Sequence, residues 1–167
     1  PQTPEDERIQ VPFRDQYVYI EDDATMATTD TDGYFENLEQ DWYNMFLSGP
    51  YVTVYDDAAT TNAAITNNTP HIPFVWDEPY ASPEAINAFY HINKIRNYFY
   101  TQFGYEMNEN IAVTVNSDLA EAYVDGCNSW YNNTEKTIEI GDGDSGFCGN
   151  DTNYALSSDV IYHEYTH

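Results

Sequence analysis

The sequence predicts an α+β domain: a mixed or antiparallel sheet packed on one long helix, with a second, shorter helix at the end of the chain. Three observations carry this. The first is a helix with both ends marked. Ser82 is an N-cap type, Pro83 suits the first helical position, Glu84 suits the positive end of the helix dipole, and Gly104 suits the stop. Between them Ala85, Phe89, Ile92, Arg96, Phe99 and Phe103 fall on one face, which Ile86, Tyr90 and Ile95 broaden. The second is a set of short β-branched and aromatic runs, Tyr17–Ile20, Tyr51–Tyr55, Ile111–Val115 and Thr137–Ile140, three of them ended by acids or glycine. The third is the group Ser157, Ser158 and Asp159, cap residues that precede Val160, Ile161 and Tyr162 and open a terminal helix.

The remaining segments are read in order. Residues 1–12 are charged and proline-bearing, an extended lead-in. Ala24–Gly33 and Thr60–Pro70 are polar and read as loops. Tyr34–Leu47 is ambiguous: Phe35, Leu38, Trp42, Met45 and Phe46 have helical spacing, and Gly49-Pro50 would end such a helix. Ile72–Trp76 is held extended by Pro73. Ala120–Tyr131 reads as a connection, and Gly141-Asp142-Gly143-Asp144-Ser145-Gly146 as a tight acidic turn. His91, on the long helix without a paired ligand four residues away, is expected to be a structural or surface histidine rather than a metal ligand. The chain thus divides into a β-rich lead-in, 1–81, and a lobe, 82–167.

Composition bounds the partners. Asp and Glu total 29 against five Lys and Arg, a net charge of −24. A field of that sign repels nucleic-acid phosphates and anionic membranes, so neither is expected as a partner. The acids are spread along the chain, which fits a solvated surface for salty or extracellular conditions, as in a halophilic or marine bacterium. Clustered carboxylates for calcium are the alternative. Aromatics at 16% argue against a disordered chain. The two cysteines, Cys127 and Cys148, are in no C-x-x-C. An exported protein would bridge them across a loop of about twenty residues, worth roughly 3 kcal/mol in the chain-entropy model; two buried thiols are the alternative.

The chemistry concentrates in His163-Glu164-Tyr165-Thr166-His167, an H-E-x-x-H. Residues four apart share a helix face, so both imidazoles can aim at one point. Two neutral imidazoles there suit zinc, and Glu164 can take a proton from an activated water. A catalytic zinc takes three protein ligands and a water. A third ligand is therefore expected beyond His167, and the 167 residues alone are expected to be inactive.

The order of elements adds a resemblance. A long helix, a strand, Asn128-Ser129-Trp130-Tyr131, a strand ending in Gly141-Asp142-Gly143-Asp144, and Asp159-Val160-Ile161-Tyr162-His163-Glu164 together resemble the N-terminal half of thermolysin-like and fungalysin-like metallopeptidases. Asn93, Ile95, Tyr100 and Phe103-Gly104-Tyr105 are similar to the fungalysin helix. The likeness covers Ser82–His167, about half the chain. Two extra residues lie between Asn128 and Gly141 relative to thermolysin, and Arg96-Asn97 replaces the usual fungalysin His-Asp, which marks a divergent bacterial member.

The resemblance implies a secreted zinc endopeptidase acting on protein or peptide substrates. In it His163 and His167 are zinc ligands, Glu164 is the general base, and Asn128 and Ser129 form an edge that holds substrate backbone. It also implies a C-terminal helical lobe bringing a glutamate ligand and a transition-state histidine. Asp159 matches a position that often binds calcium, or serves only as an acid at a helix N-terminus. Two competing classes are a non-catalytic binding or inhibitor module on the same scaffold, and an H-E-x-x-H zinc enzyme of another clan. The intact Glu164 speaks against the former, and the residues after His167 would decide the latter.

Overall fold

The computed structural model describes residues 10–20, 26–35, 42–66, 74–77, 79–107, 109–117, 128–143 and 153–167. The end signals of the long helix act as the sequence implies. Helix α1 spans Pro83–Phe103; the Ser82 hydroxyl accepts the Ala85 N–H at 3.1 Å, and Gly104 turns left-handed at φ 66° to close it. Without a Cβ, glycine enters that conformation with little strain.

The strands form two four-stranded sheets, and with the helices they make an α+β fold. The first sheet is antiparallel, ordered β2 (Met26–Thr28), β1 (Tyr17–Ile20), β3 (Trp42–Phe46), β5 (Asn62–Thr66). The second is mixed, ordered β4 (Val52–Asp56), β6 (Ile111–Val115), β8 (Thr137–Ile140), β7 (Ser129–Asn132). Its first three strands are parallel, and β7 runs antiparallel along β8 at the edge. A strand of the lead-in, β4, therefore completes the sheet of the 82–167 stretch.

Side chains alternate across a strand, so a β-branched run presents every second residue to one face. Val52, Val54, Ile111, Val113, Val115, Ile138 and Ile140 are buried on that face. Ala85, Ala88, Phe89 and Ile92 of α1 join them in one core, together with Ile161 and Tyr165 of the terminal helix α2 (Ser158–Tyr165). The antiparallel sheet has its own smaller core around Val18, Tyr43 and Met45. Trp76 packs against both cores, and its indole N–H donates to Gln16 Oε1 at 3.2 Å. Among the described residues no helix is long and apolar enough to cross a membrane.

Five local readings change. Ser129–Tyr131, read as the end of a connection, belongs to strand β7 through its pairing with β8. Trp42–Phe46 is a strand and not a helix, because pairing with both β1 and β5 outweighs an ambiguous period. Gly49 ends no helix: a Cβ there would sit 1.9 Å from the Asp15 carbonyl oxygen, so it serves a close backbone approach. Met26–Thr28 and Asn62–Thr66, read as loop, are the outer strands of the antiparallel sheet, formed by pairing more than by propensity. Phe103, read as part of the packed face, is 67% exposed. The 21 residues of α1 reach about 31 Å, whereas a five-residue strand reaches about 17 Å, so the last turns overrun the sheet.

Candidate metal centre

The approach to α2 is fixed by hydrogen bonds. Asp56, at the end of β4, accepts from the Asn116 side chain at 2.9 Å and from the Ala58 and Ala59 N–H groups, and the Ser82 hydroxyl donates to its other oxygen. Asn116 adopts φ 52°, a conformation that asparagine tolerates better than most residues. Its amide oxygen accepts from Asn153 at 2.7 Å. Asn153 in turn accepts the Ala155 N–H and so caps a short 3-10 helix, Tyr154–Leu156. The Asn87 side chain on α1 donates to the Ala155 carbonyl at 2.9 Å. These links join the ends of β4 and β6 and the start of α1 to the turn from which α2 begins.

On α2, His163 lies in the last turn and His167 just past the helix end, where its N–H reaches the Glu164 carbonyl at 3.4 Å. Both imidazoles are exposed, and their Nε2 atoms are 3.1 Å apart. Two nitrogens bound to one tetrahedral zinc at 2.0–2.1 Å would be roughly 3.3–3.4 Å apart. The pair fits one zinc with a shift of a few tenths of an ångström. Neutral imidazole, an N-donor of borderline softness, is also among the ligands zinc prefers.

Glu164 points the other way in exposure: it is only 5% exposed. The Ser129 hydroxyl donates to its Oε1 at 2.7 Å, across 35 residues of sequence. Ser129 opens β7, and α2 packs against that strand. Asn128 is exposed just before it, with its carbonyl accepting the Gly141 N–H at 3.0 Å. The structure therefore brings together His163, Glu164, His167 and Ser129, and puts Asn128 at the near end of the edge strand.

Asp159 lies exposed in the first turn of α2, where the helix dipole favours an acid. Among the described residues no group of three or more His, Cys, Asp or Glu side chains converges on one point. Cys127 and Cys148, and Asp144 of the acidic turn, lie outside the described residues.

Three contacts behind the histidines had no signature in the sequence pattern. His91 is 1% exposed, and its Nδ1 is 2.6 Å from the Tyr162 hydroxyl, a structural role that ties α1 to α2. Arg96 is buried with its guanidinium 3.5 Å from the centre of the Tyr51 ring, a cation–π stack. Tyr165 is buried beside the same α1 face. Each joins residues far apart in the chain.

Burial pushes the Tyr162 phenol up to about 12, with Tyr90 and Asp159 adding to the rise. Burial also pushes Tyr165 up to about 12, against the pull of the Arg96 cation. The fold thus prefers both phenols neutral. Their contribution to stability is fully present below the unfolded value of 10 and is lost as pH climbs toward 12. The urea midpoint should fall over that window, and Tyr165→Phe should make the fall shallower; an equal slope in both proteins would contradict the assignment.

No family model matches the chain, and no curated protein matches it significantly.

Proposed function

We propose that the protein is a zinc-dependent endopeptidase, exported to an extracellular or saline setting, of the thermolysin-like and fungalysin-like type. The observation that carries this is the pair of Nε2 atoms 3.1 Å apart flanking a buried carboxylate. A binding module would need neither the convergence of the histidines nor a buried acid between them.

His163 and His167 would hold the metal, with a third protein ligand from outside the described residues. Zinc, when bound, supplies a Lewis acid that polarises a carbonyl and acidifies a water. Glu164 accepts the proton of the attacking water and returns it to the departing amine. Strand β7, at the sheet's edge, offers main-chain groups along which an extended peptide can lie as an added strand. The strand's first residue touches the base, so the peptide would pass close to Glu164.

The test uses the protein expressed from its full coding sequence. It should retain one zinc per chain through dialysis and cleave a casein-like substrate until a chelator is added, with activity restored by zinc. His163→Ala and His167→Ala should each lose the metal and the activity together. A parent protein that retains no zinc, or cleavage indifferent to chelator, would end this reading.

A further inference from the structure

The geometry points to Ser129 as a positioning residue that holds the Glu164 carboxylate in its working orientation; this rests on the metallopeptidase reading above. A carboxylate on a flexible side chain has two oxygens and can rotate, and a base must present one of them to its proton within hydrogen-bond reach. The Ser129 hydroxyl carries one proton and donates it to Oε1 at 2.7 Å. With one lone pair of Oε1 engaged, Oε2 is the less encumbered oxygen for accepting a proton.

The placement of Ser129 makes the contact more than a passing one. Alternation along β7 puts Ser129 and Tyr131 on the same face, and Tyr131 packs against the main core. Ser129 is paired in register with Ile140, which is fully buried on β8. The main chain at Ser129 thus belongs to the edge strand, while its side chain reaches the base on α2. Ser129 thereby ties the sheet edge directly to the carboxylate, in addition to the packing of α2 on β7. A peptide paired along β7 would lie beside the residue that holds Glu164.

The experiment compares Ser129→Ala, Ser129→Val and Ser129→Thr in the zinc-loaded protein expressed from its full coding sequence. Threonine and valine have nearly the same shape and differ by a hydroxyl, so packing is held constant while the hydrogen bond is removed. Ser129→Ala and Ser129→Val should lose roughly 10- to 100-fold in kcat, the range expected for a hydrogen bond to a charged group, with KM within about twofold of the parent. Ser129→Thr should recover most of the rate. Zinc content should stay at one per chain in all three. Crystal structures of the zinc-loaded variants should show the Glu164 carboxylate rotated in Ser129→Val and in place in Ser129→Thr. Equal kcat in the Val and Thr variants, or an unmoved carboxylate in Ser129→Val, would overturn the assignment and leave the metallopeptidase reading intact. Loss of zinc or of folded protein in all three alike would make Ser129 a structural residue and overturn it too. A parent without zinc and without peptide cleavage would overturn both together.

Discussion

For the zinc peptidase proposed above, Glu164→Gln is expected to keep zinc and to lower kcat by about 10²- to 10⁴-fold, the range for removing a general base. The substitution changes little in shape. The glutamine carbonyl can still accept the Ser129 hydroxyl, and the two imidazoles, 3.1 Å apart at Nε2, are untouched. What disappears is the capacity to take a proton at the one buried acid of the motif. Burial also sets the sign of the effect on stability. A carboxylate only 5% exposed carries a desolvation penalty that a neutral amide avoids, so the melting temperature should stay level or rise. Loss of activity without loss of stability is the pattern of a residue strained for function. Zinc content by atomic emission and initial rates on a casein-like substrate measure both halves. A variant that binds zinc and cleaves as fast as the parent would remove Glu164 from the mechanism.

Much of the fold was legible where local chemistry and tertiary pairing agree. Ser82 and Gly104 cap α1 as their residue types require, because capping is satisfied within a few residues of chain. Tyr51–Tyr55, Ile111–Val115 and Thr137–Ile140 were legible as strands, the first observed one residue later as Val52–Asp56, because their apolar, largely β-branched residues alternate. Asn62–Thr66 and Met26–Thr28 were not. Their Ala and Asn residues are poor strand formers, Thr28 and Ile65-Thr66 are too short a run to signal a strand, and the segments become strands only through their partners, 16 or more residues away in the case of β3 and β5. Sheet order is hidden for the same reason: nothing in the run Val52–Asp56 says that it pairs with Ile111–Val115.

The site divides the same way. His163, Glu164 and His167 are visible because a helix turns a four-residue spacing into a common face, a matter of local geometry. That the imidazoles are exposed while the glutamate is buried depends on β7 and α1, and the five residues of the motif are silent about it. The resemblance put Ser129, with Asn128, on an edge that holds substrate backbone. Its hydroxyl on Glu164 is a contact that only the docking of α2 on β7 creates. The Asp56–Asn116–Asn153 chain of hydrogen bonds is equally non-local, although Asn116 directly follows β6 and Asn153 caps the start of the 3-10 helix, positions where such residues are common.

The Phe89→Ala and Phe103→Ala pair carries the largest expected effect on stability and separates the two readings of α1. Both residues belong to the same face by sequence spacing, and equal weight would predict equal losses. Phe89 is fully buried against the mixed sheet and also meets the Phe13 ring at 5.3 Å between centroids. Its truncation removes apolar burial and leaves a cavity that the sheet, fixed by its ladder, can fill only in part. The expected loss is about 3–5 kcal/mol, a large share of the 5–15 kcal/mol typical of a folded domain. For a chain of this size that corresponds to a fall in melting temperature of roughly 6–20 °C. Phe103 lies beyond the end of the sheet, 67% exposed, and touches mainly the rings of Tyr98 and Phe99. Removing it costs those ring contacts and little buried area, about 1 kcal/mol or less. Paired thermal melts and urea titrations measure the difference directly. Equal losses for the two variants would mean that the last turns of α1 are covered in solution; a small loss for Phe89→Ala would mean that α1 does not seal the sheet against which α2 is positioned.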